Sequence, residues 1–462
     1  MTLIKSISGI RGTIGDNKGE YLNPIEIAKF SSAFGTFIKQ RSKKSNPKLI
    51  IGRDARISGI MVNNIILGSL IGCGINVVDI GLASTPTVEI AVTEENADGG
   101  IIITASHNPE HWNALKLLNN FGEFLSKKDG DEVLQIAEQQ KFCFADVYNL
   151  GNIINNLDYT QIHINKILKL KLVDTEAIKK ANFKIVIDCV NSVGGICVVS
   201  LLKALGIKEI IELNTNPNGK FPHNPEPLPE NLKEISTKIV ENKADIGFAV
   251  DPDVDRLAII NEDGSMFGEE YTLVAVADYI LKYKTGNTVS NMSSTRALRV
   301  VTEQYGGKYY SSAVGEVNVV EGMKIYNAII GGEGNGGVIY PELHYGRDAL
   351  VGIALFLSHL AKSGKKCSEL RKTYPDYYIS KNKIQLTPEI DVDKILNKIK
   401  NKYFNYPVSD IDGVKIDFEN EWVHLRKSNT EPIIRIYSES NTIEKANNLA
   451  NKIIKDILEI TK

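Results

Sequence analysis

The sequence predicts an α/β protein of three or four domains, with parallel sheets and a small α+β domain at the C-terminus. The chain has 462 residues, 43% of them hydrophobic, which is enough for several cores at roughly 100–200 residues per domain. Short apolar runs alternate with amphipathic segments along most of the chain. This alternation is typical of strands joined by crossover helices in a parallel sheet.

The first cycle of this alternation begins with a helix near Leu22. Asn23, Pro24 and Glu26 supply its cap, a first-turn proline and a capping-box acid. Strand-like runs are then expected at residues 49–52, 75–80 and 101–103, with a helix over residues 61–72.

The alternation then recurs, without a repeat at the level of individual residues. We expect strands at residues 184–188, 209–213 and 246–250, and helices at residues 194–205 and 232–242. A third cycle is expected to begin at Leu257, with helices near residues 271–283 and 349–362.

The pattern changes near the C-terminus. Strand-like runs at residues 413–417, 422–425 and 433–437 precede one closing helix from Ile443, which predicts a small α+β domain. The expected domain limits are therefore 1–155, 156–256, 257–376 and 377–462.

Charge and composition exclude several classes of protein. The net charge of −2 argues against a nucleic-acid or membrane-surface protein, since either normally has a basic excess. No apolar run approaches the roughly 18 residues that a membrane helix needs, and the N-terminus lacks a signal-peptide pattern. The five scattered cysteines have no zinc-finger spacing. We expect a soluble cytoplasmic protein with no nucleic-acid or membrane partner.

The motif TASHNP, residues 104–109, contains the first candidate for chemistry. It follows an apolar run that reads as a buried strand, so Ser106 is expected at an exposed strand end, where α/β proteins bind ligands. A serine hydroxyl needs a base, a metal or a stable phosphate to act. A turn serine without chemical function is the alternative. His107 would point to the opposite side if the segment were extended.

The motif DPDVDR, residues 251–256, follows the strand over residues 246–250. Asp251, Asp253 and Asp255 stand at alternate positions and would converge on a hard cation such as Mg²⁺. An EF-hand is excluded because Arg256 stands where its sharp turn needs glycine. A solvated acidic turn is the weaker alternative, since three close carboxylates repel one another.

The motif GGEGNGG, residues 331–337, matches G-x-G-x-x-G in form only. A dinucleotide-binding fingerprint must open a helix, whereas the next residues read as a strand broken by Pro341. Glu333 and Asn335 remain as a carboxylate and an amide suited to sugar hydroxyls. A glycine hinge without a ligand is the alternative.

The motif RKSNTEP, residues 426–432, offers guanidinium, hydroxyl and backbone donors for an anion such as phosphate. The residues concerned are Arg426, Ser428, Asn429 and Thr430, with Arg435 just beyond. A plain polar turn is the alternative.

Other basic residues stand near turns. Arg11 has glycines on either side at positions 9 and 12, Arg56 lies in GRDARISG, and Lys116 lies downstream of Ser106. Each could also be ordinary surface charge.

Taken together and in this order, SGIRG, TASHNP, DPDVDR, GGEGNGG and RKSNTEP resemble the signature loops of the α-D-phosphohexomutase family. The resemblance extends from Ser8 to Arg435. It implies three related α/β domains with mixed or parallel sheets and a smaller C-terminal α+β domain around a central cleft. It also implies a phosphosugar substrate, Mg²⁺, a hexose bisphosphate activator and a monomer or homodimer.

The resemblance also implies roles for the residues at the matching positions. Ser106 would donate and recover a phosphoryl group, and would hold Mg²⁺ together with the aspartates of DPDVDR. Arg11, Lys116 and His107 would assist near the reacting hydroxyl. Substrate binding would fall to Arg256, Glu333, Asn335, Arg426, Ser428, Asn429, Thr430 and Arg435.

The chain departs from the family's pattern at several positions. DPDVDR stands where DGDGDR is common, and Ala114 replaces a usual glycine. Gly337 stands where many members have a histidine, and His344 and Arg347 are the candidates to replace it.

RKSNTEP is close to the form found in phosphoglucosamine mutases, which favours conversion of glucosamine 6-phosphate to glucosamine 1-phosphate. Phosphomannomutase/phosphoglucomutase activity is the first alternative, because the motif GGEGNGG does not match the form usual in phosphoglucosamine mutases. A non-catalytic phosphosugar-binding protein and a serine hydrolase are further alternatives. The intact Ser106 and aspartates argue against the former, and the expected orientation of His107 against the latter.

Overall fold

The computed structural model describes residues 2–6, 9–15, 20–155, 158–385, 391–427 and 433–460. The chain divides into two compact units within these residues. The first unit is Met1–Tyr279 with Asn335–Arg371, and the second is Ile280–Gly334 with Lys372–Lys462. Among the described helices, none has the length and apolar character that a membrane span requires.

The N-terminal part of the first unit is a mixed sheet covered by helices on both faces. Its strands are β1 (Ile4–Ser6), β2 (Gly9–Thr13), β3 (Lys48–Arg53), β4 (Asn76–Leu82), β5 (Gly99–Ile103), β6 (Trp112–Leu118) and β7 (Ile153–Asn155). Its helices are α1 (Pro24–Arg41), α2 (Gly59–Gly72), α3 (Thr85–Glu94) and α4 (Lys127–Gln139). The strand order is β1-β2-β6-β5-β3-β4-β7. Strand β3 is parallel to β4 and β5, whereas β6 is antiparallel to β2 and β5.

Strand β5 is a continuous apolar run because both of its faces are buried. Ile101 and Ile103 pack into the core under α1, α2 and α4, while Ile102 packs into the core under α3. Successive side chains of a strand point to opposite faces, so a strand buried on both faces is apolar throughout. The predicted start of α1 is confirmed, since the Asn23 side chain accepts a hydrogen bond from the Glu26 N–H at 3.0 Å.

The next part of the first unit contains a second sheet. Its helices are α5 (Tyr159–Leu168), α6 (Thr175–Ala181), α7 (Gly194–Ala204) and α8 (Lys233–Asn242), with a short 3-10 helix at Pro229–Asn231. Its strands are β8 (Lys184–Asp188), β9 (Glu209–Leu213), β10 (Ile246–Val250) and β11 (Leu257–Asn261). The strand order is β11-β10-β8-β9.

Strand β11 corrects the expectation that a third cycle starts at Leu257. It runs antiparallel to β10, with Val250 opposite Leu257, so DPDVDR is the hairpin connection between two strands of one sheet. An antiparallel neighbour needs no crossover helix, and the alternation read from the sequence does not reveal it. The division at 155, 256 and 376 remains a prediction.

The third stretch of the chain contributes to both units. Its helices are α9 (Glu269–Tyr283), α10 (Ala297–Gln304), α11 (Glu316–Ile325), α12 (Ala349–Ser363) and α13 (Cys367–Arg371). Its strands are β12 (Asn287–Asn291), β13 (Tyr309–Ser312), β14 (Ala328–Glu333) and β15 (Gly337–Ile339). In the second unit β12 is parallel to β13 and β14. The motif GGEGNGG leads into strand β15 and not into a helix. This agrees with the sequence analysis, which excluded a dinucleotide-binding fingerprint for that reason.

The C-terminal part of the second unit is an antiparallel sheet with two helices among its described residues. The elements are β16 (Tyr378–Gln385), α14 (Val392–Lys402), β17 (Val408–Ser409), β18 (Val414–Asp417), β19 (Trp422–Lys427), β20 (Ile433–Ser440) and α15 (Ile443–Ile460). The strand order is β16-β20-β19-β18-β17. The sequence missed α14, because its apolar face is only the narrow stripe of Ile395, Leu396 and Ile399 among lysines and asparagines. The predicted fold class, α/β domains followed by a smaller α+β domain, is confirmed.

Candidate active site

Ser106 lies just after strand β5, and its position differs from the exposed strand end that the sequence predicted. Its side chain is buried, with 7% of the residue exposed. The Oγ donates a hydrogen bond to Asp251 Oδ2 at 2.7 Å, and the backbone N–H donates to Thr104 Oγ1 at 2.9 Å. The loop is therefore folded onto the aspartate hairpin instead of facing solvent.

Arg56 holds this loop in place. From the sequence alone, Arg56 could have been either a functional residue or ordinary surface charge. The guanidinium is 1% exposed and its Nε donates to Asp54 Oδ2 at 3.0 Å. Its Nη atoms donate to backbone carbonyls on both sides of the turn, those of Ser106, Asn108, Pro109 and Trp112. Burying a charged group in this way is favourable only because each donor has an acceptor.

His107 lies close to the serine, contrary to the expectation for an extended segment. Ser106 has φ of 48°, in the left-handed region, so the chain turns and His107 Nδ1 comes to 3.4 Å from Ser106 Oγ. Burial lowers the pKa of His107 well below its ordinary value, and the positive charges of Arg256 and Arg347 lower it further. His107 is therefore a neutral imidazole.

The aspartates of DPDVDR are fully buried, and their carboxylate oxygens lie within 4.8 Å of one another. Val254, between Asp253 and Asp255, has φ of 61°, in the left-handed region. Asp251 Oδ1 accepts from the backbone N–H groups of Asp255 and Arg256, each at 3.2 Å. Burial and the neighbouring Asp255 and Asp253 raise the pKa of Asp251 well above its ordinary value.

The other two aspartates each accept hydrogen bonds through Oδ2, and Asp255 Oδ1 also lies 3.9 Å from Arg256 Nε without a hydrogen bond. Asp253 Oδ2 accepts from Lys116 Nζ at 2.7 Å and from Thr85 Oγ1 at 2.6 Å. Asp255 Oδ2 accepts from Arg347 Nη2 at 2.6 Å. Burial would raise the pKa of Asp253, but the Lys116 charge and the hydrogen bonds from Lys116 and Thr85 outweigh it, and the pKa is lowered.

Asp253 and Asp255 each use Oδ2 for hydrogen bonds to the protein and leave Oδ1 without one, an arrangement that fits a bound divalent cation. Asp253 Oδ1 and Asp255 Oδ1 are buried, and within the described residues neither has a hydrogen-bond partner. Buried carboxylate oxygens that no protein donor satisfies are costly unless a cation satisfies them. Three converging carboxylates are the oxygen ligands that Mg²⁺ prefers, and the strands on either side exclude an EF-hand, as the sequence indicated.

Lys116 and Arg11 come from neighbouring strands of the first sheet. Arg11 on β2 stands opposite Ala114 on β6, so Arg11 and Lys116 point to the same face of the sheet. Burial alone would lower the pKa of Lys116, but the charges of Asp253 and Asp255 raise it. Lys116 is therefore a fixed positive charge beside the aspartates.

The two candidate sugar-binding residues of GGEGNGG, Glu333 and Asn335, lie in different units. In the second unit Glu333 is 5% exposed, and its Oε1 accepts from Asn291 Nδ2 at 2.9 Å and from the Gly315 N–H at 3.2 Å. In the first unit Asn335 Oδ1 accepts from the Gly337 N–H at 3.3 Å. Arg256, also in the first unit, has Nη1 at 3.5 Å from Glu226 Oε1.

Three predicted phosphate-binding residues, Ser428, Asn429 and Thr430, lie outside the described residues. The two flanking arginines are described. Arg426 on β19 stands directly opposite Arg435 on β20, and its Nη1 lies 3.5 Å from Asp412 Oδ2. Two guanidinium-bearing positions therefore face each other in the strands on either side of residues 428–432.

A second cluster of histidines and carboxylates, which the sequence did not reveal, lies in the first unit. Asp348 Oδ2 lies 2.9 Å from His163 Nε2 and 3.3 Å from His344 Nε2, and His344 Nδ1 lies 3.1 Å from Glu89 Oε2. Burial would lower the pKa of His344, but hydrogen bonds to Asp348 and Glu89 raise it to about 10. His344 is thus an imidazolium between two carboxylates.

The fold and this site together define a class of protein. The chain has α/β domains followed by an α+β domain, and a buried serine hydroxyl is directed at a cation-compatible aspartate triad with a lysine beside it. Such a site is suited to transfer of a phosphoryl group, which depends on positioning and charge neutralisation.

Comparisons with known proteins identify the family within this class. Phosphoglucomutase/phosphomannomutase alpha/beta/alpha domains I, II and III match residues 3–143, 161–264 and 268–378, and the C-terminal domain matches residues 383–456. The chain belongs to the phosphoglucomutase/phosphomannomutase family of phosphohexomutases, which are isomerases.

Curated relatives and a solved structure agree with this assignment. A phosphoglucomutase/phosphomannomutase of Thermococcus kodakarensis is 36% identical over 98% of each chain. A phosphoglucosamine/phosphogalactosamine mutase of Sulfurisphaera tokodaii is 34% identical over 97% of each chain. The crystal structure of a phosphoglucomutase/phosphomannomutase family protein from Burkholderia thailandensis has a TM-score of 0.84 and 25% identity, and covers 99% of this chain and 98% of that one.

Proposed function

We propose that the protein is a phosphoglucosamine mutase, which interconverts glucosamine 6-phosphate and glucosamine 1-phosphate through a phosphoserine at Ser106. The observation that carries the mechanism is the hydrogen bond from Ser106 Oγ to Asp251 Oδ2 at 2.7 Å. It holds the hydroxyl at the edge of the aspartate triad, where a phosphate on Oγ would meet both the cation and Lys116.

In this proposal Asp251, Asp253 and Asp255 hold Mg²⁺, with an oxygen of phosphorylated Ser106 completing the site. When bound, Mg²⁺ neutralises the charge that develops on the transferred phosphoryl group. The Oδ1 atoms of Asp253 and Asp255, which accept no hydrogen bond from the described residues, support this ligand set. Lys116, 2.7 Å from Asp253, supplies a further positive charge from the same sheet face as Arg11.

The reaction balances as two phosphoryl transfers. In the first, a sugar hydroxyl oxygen bonds to phosphorus, the bond to Ser106 Oγ breaks, and the hydroxyl proton is transferred so that Ser106 becomes a hydroxyl again. In the second, Ser106 Oγ bonds to the other phosphorus of the bisphosphate, the bond from that phosphorus to the sugar oxygen breaks, and the serine proton is transferred to that oxygen. His107 Nδ1, 3.4 Å from Oγ, is the ring nitrogen positioned to share the serine proton.

Substrate binding is assigned to a further set of residues. We assign the sugar hydroxyls to Glu333 and Asn335, with Arg256 in support. The non-reacting phosphate is assigned to Arg426, Ser428, Asn429, Thr430 and Arg435. The opposed arginines on β19 and β20 support an anion site there. A hexose bisphosphate would prime Ser106, and we propose a cytoplasmic monomer or homodimer.

The choice of amino sugar rests on RKSNTEP and on the relative that acts on glucosamine and galactosamine phosphates. Phosphomannomutase/phosphoglucomutase activity is the second candidate, and the Thermococcus relative of that name favours it.

A turnover assay with Mg²⁺ and a trace of sugar bisphosphate tests the substrate. Glucosamine 6-phosphate, mannose 6-phosphate and glucose 6-phosphate are compared by kcat/KM. We expect at least a tenfold preference for the amino sugar, about 1.4 kcal/mol in transition-state binding. Equal or faster turnover of the neutral sugars would reassign the protein to the second candidate.

A further inference from the structure

Arg347 is a buried guanidinium that contacts the aspartate triad from a different part of the chain. It is 8% exposed, and its Nη2 donates to Asp255 Oδ2 at 2.6 Å. The other oxygen of Asp255, Oδ1, is buried, lies 3.9 Å from Arg256 Nε and has no hydrogen-bond partner in the part of the chain that the structure describes. Arg347 thus fixes which oxygen of Asp255 is available to a cation.

Gly337 leaves the space that the Arg347 side chain occupies. A Cβ added at Gly337 would lie 2.4 Å from Arg347 Cδ and 3.0 Å from Cγ, closer than non-bonded carbons approach. The φ of Gly337 is outside the left-handed region, so the requirement for glycine is steric and not conformational. Any larger residue at position 337 would displace the middle of the Arg347 side chain.

The backbone around Arg347 is fixed on both sides. Arg347 forms an antiparallel bridge with Ile339 on β15, and the next residue, Asp348, donates its N–H to Val338 O at 2.8 Å. The following N–H, of Ala349, donates to Val254 O at 3.2 Å, inside the aspartate hairpin. The segment that carries Arg347 is therefore attached directly to the loop that carries Asp255.

We propose that Arg347 is a positioning residue of the cation site, which keeps Asp255 as a one-oxygen ligand, and that Gly337 is required because it makes room for Arg347. This inference rests on the proposed function, in which the triad binds Mg²⁺. Mg²⁺ demands near-octahedral geometry with single carboxylate oxygens, whereas the larger Ca²⁺ readily accepts both oxygens of one carboxylate. Holding Asp255 Oδ2 away from the cation therefore favours Mg²⁺ over Ca²⁺.

The test measures the Kd values of Mg²⁺ and Ca²⁺ by calorimetry on phosphatase-treated protein, for the wild type, Arg347→Met, Arg347→Lys and Gly337→Ala. Loss of the Arg347 charge alters both divalent affinities alike, so the ratio of the two Kd values isolates the geometry. We expect Arg347→Met to shift this ratio about tenfold toward Ca²⁺ and to lower kcat about a hundredfold with little change in KM. Arg347→Lys should recover part of both losses.

Gly337→Ala should shift the ratio in the same direction, and the double variant Gly337→Ala/Arg347→Met should be no worse than Arg347→Met alone, since both changes remove one interaction. Gly68→Ala is the matched control, because a Cβ there has no atom within 4 Å. Thermal unfolding identifies any variant that fails to fold, and Arg347→Lys and Gly337→Ala then carry the test.

The outcomes separate this inference from the function on which it rests. A wild type that binds neither cation, both after phosphatase treatment and with Ser106 phosphorylated by glucose 1,6-bisphosphate, would overturn the proposed function. A wild type that binds Mg²⁺ while Arg347→Met keeps the same ratio would overturn the positioning role alone. Additive losses in the double variant would refute the link between Gly337 and Arg347.

Discussion

At the scale of single residues, Asp253 has two oxygens with different surroundings. Oδ2 is shared by Lys116 and Thr85, while Oδ1 is buried and within the described residues has no hydrogen-bond partner. A substitution that keeps the shape of this side chain and removes its charge therefore tests the ligand role without creating a cavity.

Asp253→Asn should raise the Mg²⁺ concentration needed for half-maximal activity on the order of tenfold, because cation affinity follows the charge of the ligands. The rate at saturating Mg²⁺ should also fall, since an amide no longer neutralises Lys116. Titration of activity with Mg²⁺ measures both effects. Asp131→Asn, in an exposed ion pair with Lys127 on α4, is the control. An unchanged Mg²⁺ requirement in Asp253→Asn would count against the triad.

Arg56 shows what a sequence motif cannot convey at this scale. Nothing in GRDARISG distinguishes a buried guanidinium that holds the serine loop from surface charge, because its acceptors are backbone carbonyls 50 or more residues away. Ser106 was predicted from the motif, but its burial and left-handed φ depend on these same distant contacts.

At the scale of elements, His344 links three of them. It joins Glu89 on α3 to Asp348 at the start of α12, and Asp348 also bonds His163 on α5. Asp348 additionally caps α12, accepting from the N–H groups of Leu350 at 2.8 Å and Val351 at 3.3 Å. Loss of the positive charge on His344 would leave two buried carboxylates facing each other across a neutral ring.

The stability of the first unit should consequently decrease at alkaline pH. The pKa of His344 is raised to about 10 in the folded protein, from an ordinary value of 6.5. A histidine whose pKa is higher in the folded than in the unfolded protein adds to the free energy of unfolding. This contribution is complete below pH 6.5 and is lost as the pH rises through about 10. The melting temperature of the wild type should therefore fall more between pH 7 and pH 10 than that of His344→Gln.

The measurement is thermal unfolding followed by circular dichroism at several pH values. At pH 7 His344→Gln should already be less stable, by a few kcal/mol at most, on the order of 1.4 kcal/mol per pKa unit. His111→Gln, at an exposed position, is the control for histidine replacement. Parallel pH profiles for the wild type and His344→Gln would show that the ring is not an imidazolium.

At the scale of the whole molecule, the sequence predicted the fold class because apolar periodicity reports local burial. The strands β8, β9 and β10 were predicted to the residue, and α1 was predicted from its cap. The pairing of β11 with β10 and the helix α14 were missed. Strand partners are set by distant contacts, and the stripe of α14 is too narrow to stand out among polar residues.

The residues of the candidate site likewise fall into those that the sequence predicted and those that it missed. Ser106, Lys116 and the aspartates were predicted from motifs, and the structure brings them together. Arg56, Thr85 and the contact of Arg347 with Asp255 were not predicted as parts of the site. Each acts through a contact with a segment that is distant in the sequence, so only the fold reveals the role.

The central claim, that Ser106 carries the phosphoryl group, is tested most directly by a single-turnover experiment. The protein is treated with glucose 1,6-bisphosphate, freed of sugar and analysed by intact mass and peptide mapping, then mixed with glucosamine 6-phosphate. We predict one phosphoryl group on the peptide containing Ser106, which is lost as an equal amount of sugar bisphosphate forms, and none on Ser106→Ala. Substantial turnover by Ser106→Ala, or turnover without phosphate on Ser106, would contradict the account.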